Sequence, residues 1–203
     1  MRFEIVVFDG FDELDAIAPF EVLQNARQAG ADFEVRLVSW TGAREVTAAH
    51  GLRIAVESVD ENSPRPDVVV VPGGGWIAQS PIGARGEAER GHIPKRLAEL
   101  HAAGTSITAV CTGGMLVAAA GLLRGRAAVT HQGAIEELRA AGANVVEARV
   151  VDDGEIVTAG GVTSGLDLAL WLVERFAGRE IVARVEREME YERRGEVWRR
   201  GDA

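Results

Sequence analysis

The sequence predicts an α/β fold, with helices on both faces of a mostly parallel sheet, and two patterns carry that prediction. Short β-branched, apolar runs closed by turn residues alternate along the chain with longer segments of helical periodicity. The runs are apolar throughout instead of alternating, as strands buried on both faces are. Strands joined through helices cross over right-handed and lie parallel.

RFEIVVF at 2–8 is the first strand, and a helical pattern at 18–29 follows it and stops at Gly30. EVTAAHGLRIAV at 45–56 reads as two short strands about a turn. DVVVVPGGG at 67–75 is the next buried strand with its turn, followed by a helix at 94–103 that stops at Gly104. TSITAV at 105–110 leads into a helix at 114–123, and a further helix at 134–141 stops at Gly142. VVEARVVDDGEIVTAGG carries an Asp153-Gly154 hairpin signal, so the sheet should be mixed at one edge; its second arm, 155–161, is a fourth buried strand. A helix at 164–176 stops at Gly178, and the glycines after these helices suit the left-handed C-terminal position. The charged stretch 181–200 reads as a solvated helix or a packing arm, and the chain contains neither repeats nor low-complexity segments.

With 203 residues and 47% hydrophobic side chains, the chain suits one domain, 1–203, with a substantial core. A formal charge of −9 repels a phosphate backbone and offers nothing to an anionic membrane, so neither nucleic acid nor membrane is expected as a partner. The single cysteine cannot form an internal disulfide and fits a reducing compartment, the cytoplasm. The N-terminal apolar run is interrupted by Asp9 too soon for a signal peptide, and no stretch approaches a membrane span.

In a parallel sheet, chemistry collects beyond the carboxyl ends of the strands. Three turns qualify: DGFDELDAIAP after the first strand, PGGGW at 72–76, and the turn holding Cys111. Cys111 has Ala109 two residues before it and Gly113 two after, with Gly114 following, an A-x-C-x-G version of the nucleophile elbow. A sulfur there sits at a helix N-terminus, which favours the thiolate and predicts a thiol pKa below the free value of about 8.5. An inert core cysteine is the competing reading. Gly73 and Gly74, with the Thr112 N–H, are candidate oxyanion donors, and no Gly-Lys-Ser/Thr follows to make a phosphate loop. Of the acids Asp9, Asp12, Glu13 and Asp15, most read as helix caps, whereas Asp15 sits in an apolar frame that would bury it and couple it to the thiol as an acid/base pair. His50, His92 and His101 read as surface; His131 reads equally as a neighbour of the site or a helix cap. Trp76 reads equally as pocket wall or surface contact, and no ligand spacing matches a metal site.

A carboxylate before AIAP, a VPGGG turn and AVCTGG at an elbow, together with TAGGVTSGLDLALWLVE at 158–174, resemble the ThiJ/PfpI superfamily within the class I glutamine amidotransferase-like folds over nearly the whole chain. The resemblance implies a flavodoxin-like three-layer sandwich, a homodimer, no cofactor and a small electrophilic substrate. It implies Cys111 as nucleophile, Asp15 as its acid/base partner and Thr112 as a second catalytic or oxyanion group. PfpI-like proteases carry histidine directly after the cysteine; Thr112 stands there instead and argues against peptidase activity. Relatives fused to a regulator carry a C-terminal helix-turn-helix domain, for which this chain ends too soon. Isonitrile-hydrating members look most similar, with threonine after the nucleophile and the acid in an L-D-x-x-x-P context; Ala18 and Gln132 depart from them, as does the DGFDELD turn. The implied reaction hydrates an isonitrile to an N-substituted formamide, with Asp15 protonating carbon and then activating water. The alternatives are a glyoxalase or deglycase acting on small dicarbonyls, for which His131 is a candidate, and a non-enzymatic cysteine redox sensor.

Overall fold

The computed structural model describes residues 1–60 and 62–201. In chain order, β1 (Arg2–Val6), α1 (Glu13–Gln28) and β2 (Glu34–Ser39) precede a hairpin of β3 (Glu45–Thr47) and β4 (Arg53–Ala55), then β5 (Glu57–Ser58). Next come β6 (Val68–Val71), α2 (Ala84–Arg90), α3 (His92–Ala102), β7 (Ser106–Val110) and α4 (Gly113–Ala119). The short strands β8 (Ala127–Ala128) and β9 (Asn144–Val145) flank α5 (Ile135–Ala140). The chain ends with β10 (Val150–Asp152), β11 (Ile156–Ala159), α6 (Ser164–Ala177), α7 (Arg179–Glu188) and β12 (Val197–Arg199).

Eight strands form one sheet in the order β12-β10-β11-β7-β6-β1-β2-β5, parallel throughout except between β10 and β11. That antiparallel pair is the Asp153-Gly154 hairpin, with Gly154 at φ 90°. The mixed edge expected from the sequence is therefore present. α1 packs on α6 and α7, whereas α2, α3 and α4 pack on one another, giving a helical layer on each face. Val68 to Val71 in β6 are buried on both sides, which is why this strand reads as an unbroken apolar run. No helix among the described residues is long and apolar enough to cross a membrane.

Several boundaries differ from the sequence reading. α1 begins at Glu13, not residue 18, because the Asp12 carboxylate caps it by accepting from the Leu14 N–H at 3.2 Å. Pro19 lies inside this helix, where it has no N–H to offer the Asp15 carbonyl. α4 stops at Ala119, short of residue 123, and β2 and α2 had no expectation attached to them. The charged tail forms α7 and then adds β12 to the sheet edge beside β10.

Candidate active site

β1, β6, β7 and β11 lie parallel at the centre of the sheet, so the turns after them meet at one end. The turn after β7 is the elbow. Cys111 has φ 56°, a left-handed conformation that is strained for a side chain with Cβ. The strain is held from three sides. The Cys111 N–H is shared between the Ala159 and Gly160 carbonyls at 3.1 and 2.9 Å, and the Thr130 hydroxyl donates to the Cys111 carbonyl at 2.7 Å. Gly113 lies so close to the Val71 carbonyl that a Cβ would overlap it, and Gly73 lies equally close to Thr112. The small residues around Cys111 are thus fixed by backbone contact with the neighbouring strand and its turn.

Asp15 begins the buried stripe of α1, which continues through Ala18, Pro19, Val22 and Ala26 at helical spacing. It is 0% exposed. The Gly73 N–H donates to its Oδ2 at 2.9 Å, and Oδ1 finds no N–H or O–H donor among the described residues. Burial, and then the charge of Asp12, push the Asp15 carboxyl up to about 8, against the Gly73 N–H and the adjoining Cys111 thiol. Burial, and then the charge of Asp15, push the Cys111 thiol up to about 12. The expected depression of the thiol pKa is therefore overturned: at a thiol only 5% exposed, loss of hydration and a nearby carboxylate outweigh the start of a helix of seven residues. The backbone N–H groups of Val162 and Thr112 do favour the thiolate. Cys111 and Asp15 form one acid/base unit whose protons belong to the pair.

The oxyanion candidates need correction. The Gly73 N–H is committed to Asp15, and the Gly74 N–H donates to Thr112 Oγ1 at 3.0 Å. These two glycines position the acid and the threonine. The Val162 N–H, which the sequence reading missed, joins that of Thr112 at the sulfur; Val162 has φ 33° in the GGV turn after β11 and contributes through backbone, which leaves no side-chain signature. Thr130 was also missed.

Cys111 and Thr112 line a cavity of about 270 Å³ whose walls include Trp76, Ile77 and Val162. Trp76 is 7% exposed and lies under the Arg85 guanidinium at 4.6 Å, so it is a wall of the cavity and not a surface contact. His131 does both things considered for it. Its Nδ1 accepts from the Gly133 N–H at 3.0 Å, capping the short turn before α5, while the ring faces the cavity. That bond assigns the ring proton to Nε2. Asp9 accepts from the Thr47 N–H at 2.8 Å, and Glu13 binds the turn at His50. His50 is exposed, as the sequence reading has it, and also lines the cavity, whereas His92 lines a separate hollow of about 680 Å³ beside Trp40 that contains no cysteine. A wider hollow of about 640 Å³ shares Asp12, His50 and Val162 with the cavity and adds Leu14 and Leu52. With Ile77, these leucines are among the few large apolar side chains left exposed.

A family model described as the DJ-1/PfpI family matches residues 1–175. Isonitrile hydratase of Pseudomonas putida is 33% identical over 94% of this chain and 78% of its own length. The Parkinson disease protein 7 homolog of Danio rerio is 27% identical over 89% of this chain and 92% of its own. Among solved structures, a THiJ/PfpI family protein from Pseudomonas syringae superposes with a TM-score of 0.81 at 27% identity, covering 95% of this chain and 76% of that one.

Proposed function

This chain belongs to the DJ-1/PfpI family, and from that premise we propose that it is a cysteine-dependent hydratase that converts isonitriles to N-substituted formamides. The observation that carries the proposal is the pairing of a strained, elbow-held Cys111 with a sealed Asp15 that has a single N–H donor. A carboxyl pushed to about 8 is matched to proton transfer near neutrality.

Burial raises both groups, the thiol further, so once the pair has lost one proton the other rests on sulfur, and the Asp15 carboxylate takes it as the sulfur attacks. With the shared proton on Asp15, the sulfur is a thiolate facing the Val162 and Thr112 N–H groups. Sulfur bonds to the terminal carbon of the isonitrile, and Asp15 delivers its proton to the same carbon, leaving a thioimidate on Cys111. Water then adds to that carbon, and rupture of the C–S bond releases the formamide. Leu14, Leu52 and Ile77 around the mouth suit an apolar N-substituent. Thr112, where peptidase relatives carry histidine, leaves Asp15 as the acid beside the sulfur.

Purified protein is given cyclohexyl isocyanide and methylglyoxal separately, and formamide and lactate are measured. Formamide is expected, rising with pH through about 8; Cys111→Ser should abolish it, and Asp15→Asn should lower it by roughly 10²–10⁴. Lactate without formamide would replace this reading with the dicarbonyl chemistry, for which the Nε2–H of His131 is a ready donor.

A further inference from the structure

Asp15 is well placed to serve the sulfur and poorly placed to serve water. It has no exposed surface, and one of its oxygens is held by Gly73. The remaining titratable groups around the cavity differ in what they can do. Asp12 is occupied as the cap of α1, and His131 presents only an N–H because its Nδ1 accepts from Gly133. His50 is different. Glu13 grips it twice: Oε1 accepts from the His50 backbone N–H at 2.7 Å, and Oε2 lies 2.6 Å from Nδ1. An ionised Glu13 fixes the proton on Nδ1 and leaves Nε2 with a lone pair, for which no partner exists among the described residues. The ring is 77% exposed, so water reaches it. It also lines both the Cys111 cavity and the hollow that shares Asp12 and Val162 with it. A carboxylate orienting a histidine whose second nitrogen is left free, on a ring that shares a cavity with the nucleophile, is the arrangement of a general base.

We propose that His50, oriented by Glu13, is the base that activates the hydrolytic water, while Asp15 serves the addition of the thiol and regains its proton only when the C–S bond breaks. The proposal rests on the thioimidate route described for Cys111. In the release step the water oxygen bonds to the thioimidate carbon, and one water proton passes to Nε2 of His50. The imidazolium gives that proton to the substrate nitrogen as the C=N π pair becomes its lone pair. The C–S bond then breaks, the hydroxyl oxygen becomes the formyl carbonyl, and its proton goes to the Asp15 carboxylate. Thiolate and protonated Asp15 are restored, and the product carries one hydrogen from Asp15 on carbon and one from water on nitrogen. The groups facing His50 are Glu13 and Asp12 on its acidic side and Cys111 and His131 across the cavity. The hydrogen bond to Glu13 and its charge, with Asp12, raise the His50 pKa, so release should require pH above the ordinary histidine range.

Because the side chain is exposed, His50→Gln should fold as the wild type does. The test gives cyclohexyl isocyanide to the wild type, His50→Gln and Glu13→Gln, following formamide in the steady state and the mass of the intact protein during turnover. His50→Gln should still load Cys111, should lose kcat by roughly 10²-fold and should accumulate the adduct. Glu13→Gln keeps an acceptor for the His50 backbone N–H but lacks the charge, so its kcat limb should move to lower pH. A His50→Gln enzyme with wild-type kcat and pH profile, or one that slows without accumulating adduct, overturns the role of His50 alone. A wild type that forms neither adduct nor formamide overturns the isonitrile reading, and the release step falls with it.

Discussion

Asp15 sits where an ionised carboxylate is poorly solvated, with a single N–H donor and the charge of Asp12 nearby. Its carboxyl, ordinarily near 3.8, is pushed up to about 8, so between those values the folded chain holds a proton that the unfolded chain has released. The stability associated with the neutral carboxyl is complete below about 4 and is lost as pH rises through about 8, at up to about 1.4 kcal/mol per pH unit. Asp15→Asn stays neutral throughout. Its melting temperature relative to wild type should therefore climb from pH 5 to pH 8; parallel curves across that range would show that Asp15 is not a buried, neutral acid. The identity of this pair was legible in the sequence, because Ala109 and Gly113 flank the cysteine and apolar residues flank the aspartate. The direction of the thiol shift was not. The start of a helix is written locally, whereas burial and the approach of Asp15 to Cys111 depend on how α1 docks onto the sheet beside β7.

At the scale of the element, the strand-to-helix elbow depends on contact between backbones. Gly113 faces the Val71 carbonyl at the end of β6, an atom fixed in the sheet that cannot swing aside. Gly113→Ala should cost roughly 1–3 kcal/mol as overpacking and shift Cys111 off its strained φ. A lower melting temperature together with an altered rate of iodoacetamide labelling at Cys111 checks both parts; unchanged labelling would mean that Cys111 is held by its own hydrogen bonds to Ala159 and Gly160. The small residues of this elbow were readable because sterics demands them. The start of α1 was read five residues late because Pro19 looks like an opening position, and only the Asp12 side chain shows that the helix is already under way. Val162 and Gly73 could not be assigned their partners from sequence, since each acts through an N–H that every residue but proline carries.

Across the whole molecule, the central parallel strands were visible as apolar runs, but the sheet extends further at both ends than those runs suggest, because its outer strands are short and half polar. The far edge is made by the tail, which the sequence presents only as charge. Its anchor is Asp167 on α6, 3% exposed, which takes Arg149 Nη2 at 2.6 Å and Nε at 2.8 Å on one oxygen and the Arg194 N–H at 2.8 Å on the other. Arg193 adds ion pairs to Glu174 and Glu186, and β12 then lies parallel to β10, covering an edge otherwise open to pairing with another chain. The tail is thus part of the domain although it lies beyond the residues matched by the family model. Asp167→Asn leaves Arg149 without its charge partner. Breaking a buried pair costs about 3–5 kcal/mol, and the lower end applies because Arg149 is partly exposed. For a chain of this size that corresponds to a loss of roughly 6–12 °C in melting temperature. Labelling of Cys111 well below the transition should change little, since Arg149 keeps its backbone bond to Gly160, which accepts from the Cys111 N–H. A chain stopped after Glu190 should lose at least as much and should aggregate through the bared β10 edge. If the truncated chain does so while Asp167→Asn melts as the wild type does, strand pairing and not the Asp167 cluster holds the tail in place.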